Sequence, residues 1–157
     1  MFDPAHQLPH LSGDDLVDGA RGAWVLIGND YELEMIQHRT GCTMEELKQL
    51  SELVVTTLGR EGSRIETATA SHTIAPAPAR AEVDPTRAGD AYRSGLVAGL
   101  LRGLDIPTAG AVASLAATYA VEQVGTIEHG YSHEEFGERF KSAYGRPLPV
   151  ELWPAVS

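Results

Sequence analysis

One carboxylate set among small residues is the first candidate for chemistry. In residues 83–95, VDPTRAGDAYRSG, Asp90 stands at the mouth of a turn that feeds a helix-like run, and Arg87 lies inside that turn. A helix N-terminus presents unpaired N–H groups and a partial positive charge, so it suits an anion. Ala88 and Gly89 keep the backbone open to phosphate oxygens. A carboxylate at the same place can take the proton of a hydroxyl that attacks a phosphoryl group. The same residues also fit a plainer role, in which Asp90 complements the helix dipole and the glycine makes the turn. The phosphate loop G-x-x-x-x-G-K-[ST] is absent.

Two more stretches carry suitable groups. In NDYE, Asn29 and Glu32 have the spacing of a capping box. They also have the chemistry to hold a hydrated Mg²⁺ at a strand's carboxyl end, since that ion keeps most of its waters and takes few carboxylates. In TTLGREG, Thr57, Gly59 and Gly62 follow a strand-like run, and the glycines read equally as a hairpin turn. His6 and His10, and His129 and His133, are four apart. Pro9 breaks the first pair's helix, and Gly130 and Ser132 break the second, so neither reads as a metal site. Cys42, the only cysteine, has no evident catalytic partner.

These groups need elements to position them. The pattern predicts a helix after Ser12, a buried strand over 23–28, a helix over 30–41 closed by Gly41, and a helix over 43–52 capped by Thr43 and Glu46. A second buried strand follows over 53–58, then a turn at 59–62 and a hairpin over 63–78. Helices are predicted over about 91–103, over 108–123, and after Ser132 up to Gly145. Gly95, Gly99 and Gly103 line one helix face, as close packing on a sheet would require. Strands alternating with helices give an α/β fold: a central, mostly parallel sheet with helices on both faces. Ligands of such sheets bind at the carboxyl ends of the strands, so the loops after residues 28, 58 and 83 are expected near one another.

Composition bounds the rest. The chain has 157 residues, enough for one domain or part of a larger one. Its formal net charge of -10, with no run of Lys and Arg, argues against nucleic-acid and membrane partners. A single cysteine fits a reducing cytoplasm. The opening MFDPAHQLPHL lacks the charged start and apolar block of a signal peptide.

Taken in order, FDPAHQLPHLSGDDL, NDYELE, VTTLGREGS, DPTRAGDAYRSGLVAGL and GTIEHGYSHEEF resemble the ribokinase-like (pfkB) carbohydrate kinases, with the bacterial adenosine kinase-like branch most similar. The resemblance implies a ribokinase-like layered fold and transfer of the γ-phosphoryl group of ATP to a hydroxymethyl group of a sugar or nucleoside. By that resemblance Asp90 is the catalytic base, and the turn at 87–90, with Ala88 and Gly89, is the anion hole. Asn29 and Glu32 organise Mg²⁺ and phosphate, Glu32 acting through water. Thr57, Gly59 and Gly62 contact the nucleotide. Asp84 and Thr86, completed near Gly125, hold a monovalent cation such as K⁺. The family normally has a small residue where Arg87 stands. That side chain either narrows the phosphate's approach or turns outward and adds positive charge. The match corresponds to the C-terminal, nucleotide-binding half of the family. The half that brings most acceptor contacts and the lid is not in these residues. The resemblance therefore implies weak or no turnover for this chain alone, and an open sheet edge suited to self-association or a complementing subunit.

Overall fold

The computed structural model describes residues 1–80, 87–122 and 131–149. The chain forms two compact units, Met1–Thr73 and Ile74–Ser157. In the first, strand β1 (Val25–Asn29) and strand β2 (Leu53–Thr57) pair in parallel. A parallel pair needs a crossover. Here it is made by helix α2 (Asp30–Thr40), which packs on both strands, and helix α3 (Met44–Leu50), which packs on β2. β2 then pairs antiparallel with β3 (Ser63–Glu66), and β4 (Ser71–Ile74) completes the order β1-β2-β3-β4. The sheet is therefore mixed, with its parallel part at β1 and β2.

Both strands are apolar because they are buried. Val25, Leu26, Ile27, Val54 and Val55 are all at most 1% exposed. Helix α1 (Gly13–Ala20) joins Leu16 and Ala20 to this core, and α2 adds Leu33 and Ile36. Arg39 ties the opening segment down by donating to the carbonyls of Leu8, Pro9 and Leu11. On the other edge of β1, Phe2 makes a single parallel bridge to Leu26. Its N–H donates to the Val25 carbonyl at 2.7 Å, and its carbonyl accepts from Ile27 at 3.1 Å. Pro4 has no N–H with which to continue that ladder. Along the edge expected to be open, Phe2 is thus the one residue paired among the described residues.

The second unit is helical among the described residues. Helix α4 spans Ala88–Leu101, α5 spans Ile106–Val121 and α6 spans His133–Tyr144. α4 begins three residues before the sequence expectation, so Ala88, Gly89 and Asp90 form its first turn rather than a preceding loop. α5 begins two residues early because Asp105 caps it, accepting from the Thr108 N–H at 2.7 Å. Residues 75–77 are pinned to α5. The Ala77 N–H donates to Ser114 Oγ at 2.9 Å, and Thr118 Oγ1 donates to the Ala77 carbonyl at 3.1 Å.

The glycine face of α4 does not meet a sheet, as expected from sequence, but α5. A Cβ on Gly95 would lie 2.9 Å from Ala113 Cα and 3.2 Å from the Val112 carbonyl oxygen. One on Gly99 would lie 3.0 Å from Ala109 Cα. The partner residues are small too, so the two backbones approach closely. Gly103 is not part of this contact. It lies beyond the helix with φ +73° and turns the chain. Gly95→Ala must push α5 away, so it should destabilise by about 1–3 kcal/mol. Gly137 in α6 has nothing within 4 Å of an added Cβ. Gly137→Ala should therefore stabilise by about 0.4–1 kcal/mol. Denaturant midpoints of the two variants check both signs.

Candidate active site

In the first unit the parallel register sets Asn29 opposite Thr57 and Gly28 opposite Thr56, so the carboxyl ends of β1 and β2 are level. Of the three loops expected together, those after residues 28 and 58 are brought side by side. The loop after 83 lies outside the described residues. Asn29 caps α2: its Oδ1 accepts from the Glu32 N–H at 2.7 Å, and Glu32 Oε2 accepts from the Asn29 N–H at 2.8 Å. The capping-box reading of this pair holds. The box engages Oε2 and leaves Oε1 outside it, on a half-buried side chain at the strand end. A Cβ on Gly28 would lie 3.3 Å from Glu32 Oε2, so the glycine makes room for the carboxylate.

The turn after β2 also keeps its plain reading. Gly59–Glu61 is one turn of 3-10 helix that returns the chain as β3. Gly59 and Gly62 have φ +56° and +91°, which L side chains rarely adopt. The Leu58 N–H donates to the Gly62 carbonyl at 2.9 Å. Thr57 is half-buried at the base of this turn and Gly59 is exposed.

In the second unit the first turn of α4 stands apart from the other helix starts. Ser12, Asn29, Thr43 and Ser132 each close a capping box, and Asp105 caps α5. Arg87, at the cap position of α4, makes no side-chain cap hydrogen bond. The first N–H groups of α4 are therefore not satisfied by their own cap residue. Asp90 sits on that turn with its side chain 82% exposed, and Arg93 Nη1 lies 3.5 Å from Asp90 Oδ1. An added Cβ on Gly89 would lie 2.6 Å from the same Arg93 nitrogen. Gly89 thus leaves space for the guanidinium that flanks the acid. Arg87, Asp90, Ser94, Tyr119 and Tyr131 line a cavity of about 180 Å³. Asp84, Thr86 and Gly125, the residues expected around a monovalent cation, lie outside the described residues, as does His129. Among the described residues no three His, Cys, Asp or Glu side chains cluster as a metal site. No described helix is long and apolar enough to cross a membrane.

The pfkB family carbohydrate kinase model matches residues 2–132. The chain belongs to the pfkB carbohydrate kinase family. It is 34% identical over 152 residues to a nucleoside kinase of Methanothermobacter thermautotrophicus, covering 95% of this chain and 48% of that protein. It is 39% identical to an inositol 3-kinase of Arabidopsis thaliana over 72% of the chain and 38% of that protein. Among solved structures it is similar to a Burkholderia thailandensis nucleoside kinase in complex with inosine. That match has a TM-score of 0.89 and 30% identity, over 92% of this chain and 49% of the other. The fold is accordingly the ribokinase-like α/β fold. The chain spans about half the length of the relatives it matches.

Sequence reading missed one group in this pfkB chain. Glu122, at the end of α5, and Arg139 of α6 form a bidentate ion pair. Arg139 Nη1 donates to Glu122 Oε2 at 2.6 Å, and Nη2 donates also to the Pro78 carbonyl at 3.1 Å. Both side chains are largely buried, at 8% and 12% exposure for Arg139 and Glu122. They stand seventeen positions apart, and no local pattern announces such a pairing. The Arg139 hydrogen bonds hold the Glu122 carboxyl below the usual glutamate range, against the opposing effect of burial. A depressed carboxylate stabilises the fold above its unfolded pKa, near 4.3, and loses that contribution as pH falls through the lower folded value. Glu122→Gln should therefore be less stable than the parent at neutral pH, with the difference closing below about pH 4. Thermal midpoints across that range check it. A gap that stays constant with pH would show that the ionised carboxylate is not the stabilising group.

Proposed function

We propose that this chain is the nucleotide-binding, catalytic-base half of an ATP-dependent kinase. It would phosphorylate a hydroxymethyl group of a nucleoside or sugar. The first turn of α4 carries this reading. The cap residue of that turn makes no side-chain hydrogen bond to it, the turn carries a solvent-facing carboxylate, and family membership supplies the reaction class. In the proposed step the acceptor hydroxyl attacks the γ-phosphorus, Asp90 takes the hydroxyl proton, and ADP leaves. The backbone amides of Ala88, Gly89 and Asp90 stabilise the charge that develops on the transferring group. The exposure of Asp90 suits a base that must reach a mobile acceptor.

Asn29 and Glu32 would organise Mg²⁺ and phosphate. The capping box holds Glu32 rigid, and Oε1 remains to meet a metal-bound water. Bound Mg²⁺ would neutralise charge on the β- and γ-phosphates. Thr57, Gly59 and Gly62 would pass the nucleotide along the turn after β2, whose positive-φ glycines bring bare backbone to the surface. Asp84, Thr86 and Gly125 would hold K⁺ or another monovalent cation. The acceptor we favour is a nucleoside of the adenosine or inosine type, because a nucleoside kinase is similar over 95% of the chain. The cytoplasm, where ATP is available, is the proposed compartment.

A second reading has a specific observation behind it. The chain spans 48% of that relative's length. A nucleotide-binding remnant, or a subunit needing a complementing chain or a second copy, would keep ADP binding without turnover. Calorimetry with ADP and Mg²⁺, followed by mass analysis of products from inosine, adenosine and ribose, separates the two. For the kinase, Asp90→Asn should lower turnover by about 10²- to 10⁴-fold while leaving ADP affinity within a few-fold. ADP binding without product from any acceptor would favour the remnant. Undiminished turnover by Asp90→Asn would remove Asp90 as base, and absent ADP binding would refute both readings.

A further inference from the structure

We propose that Thr56 is a positioning residue of the Asn29–Glu32 site, where its hydroxyl supports the Glu32 carboxylate when that group holds a metal-bound water. The inference deepens the proposed function and rests on its reading of Asn29 and Glu32.

Thr56 breaks the pattern of its own strand. Leu53, Val54 and Val55 precede it in β2 and are buried apolar residues. Thr56 is only 3% exposed, and its Oγ1 is buried with no hydrogen-bond partner among the described residues. A hydroxyl buried without a partner costs about 1–3 kcal/mol. Valine has nearly the same shape and no such cost. An orphaned hydroxyl in a buried strand asks for a partner.

The strand register shows which partner is in reach. Leu26 is paired with Val54, and both pack in the core with Leu33 and Ile36 of α2. Gly28 and Thr56 are paired two residues further on, so they stand on that same face of the sheet. A Cβ on Gly28 would lie 3.2 Å from Glu32 Cβ and 3.3 Å from Glu32 Oε2. The Glu32 side chain therefore lies over the glycine. Neighbouring strands are about 4.8 Å apart, which sets Thr56 one strand spacing from that place.

The other neighbours on this face are committed. Arg64 of β3 is paired with Thr56, and its Nε donates to Glu66 Oε2 at 3.1 Å. Arginine offers no acceptor, and Glu66 also faces Lys48 at 3.6 Å. Glu32 is different: the Asn29 N–H takes Oε2, and Oε1 lies outside the box. A hydroxyl turns to suit its acceptor. A small shift of the carboxylate, or one water between the two, joins Thr56 Oγ1 to Glu32 Oε1. The carboxylate is then held at both oxygens, and Oε1 keeps a lone pair for the metal-bound water. The free chain carries the hydroxyl unpaired. The bond is gained on loading, so it favours the Mg²⁺–nucleotide complex rather than the fold.

Calorimetric titration of the full chain with ADP, once with Mg²⁺ and once with EDTA, tests this in the parent, Thr56→Val and Thr56→Ser. Mg²⁺ should tighten ADP binding to the parent. Thr56→Val should lose about tenfold or more of that gain, with metal-free ADP affinity within about twofold of the parent. Its thermal midpoint should be no lower than the parent's, because an unpaired buried hydroxyl has been removed. Thr56→Ser keeps the hydroxyl and should keep the gain. A threonine with only a structural role would behave otherwise: Thr56→Val would melt lower, or would lose ADP affinity equally with and without Mg²⁺. Either result overturns the inference, as does loss of the gain in Thr56→Ser. An undiminished gain in Thr56→Val, with normal binding by the parent, removes Thr56 and leaves the proposed function standing. A parent that binds no ADP refutes the proposed function, and the inference falls with it.

Discussion

The close approach of α4 and α5 is the constraint on which the second unit depends. Gly95 and Gly99 let two helix backbones come near enough that even one added methyl carbon meets main-chain atoms. Contact at that distance fixes the rotation of α4 about its axis, and so the direction in which its first turn faces. Apolar burial then holds the arrangement, with Leu96 of α4 and Leu115 of α5 fully buried. Asp90 can be almost wholly exposed and still be placed reproducibly, because the turn that carries it is fixed from behind rather than by contacts of its own.

The first unit solves its positioning problem by different means. Parallel pairing of β1 and β2 makes the two carboxyl ends level, and each end is closed by local backbone chemistry. Asn29 and Glu32 close one, and a glycine-flanked turn closes the other. In both places the residues proposed for ligand work also serve the fold. A capping box does not argue against a phosphate or metal role. It supplies the rigidity that such a role needs, at a place where the polar atoms already face solvent.

Much of this was legible because it is local. Ser12 with Asp15, Asn29 with Glu32, Thr43 with Glu46 and Ser132 with Glu135 each announce a helix start three residues ahead, and all four boxes formed. The runs at 23–28 and 53–58 read as strands because each is short, mostly apolar and bounded by turn or cap residues. The start of α4 was misplaced because Arg87 gives no cap signal, and that of α5 because Asp105 was overlooked as a cap. The glycine stripe announced close packing but not its partner, since a helix of small residues and a sheet ask the same of it. The Glu122–Arg139 pair was invisible. Sixteen residues and a change of helix lie between its members, and nothing in the charge pattern separates them from solvated neighbours.

Arg87 at the head of α4 has one more consequence. A missing side-chain cap costs a helix about 1 kcal/mol, and among the described α-helices α4 is the one whose cap residue makes no side-chain hydrogen bond. An anion that accepts from those N–H groups would restore what the cap does not give. Under the proposed function, a bound phosphate would add order at the turn that carries Asp90.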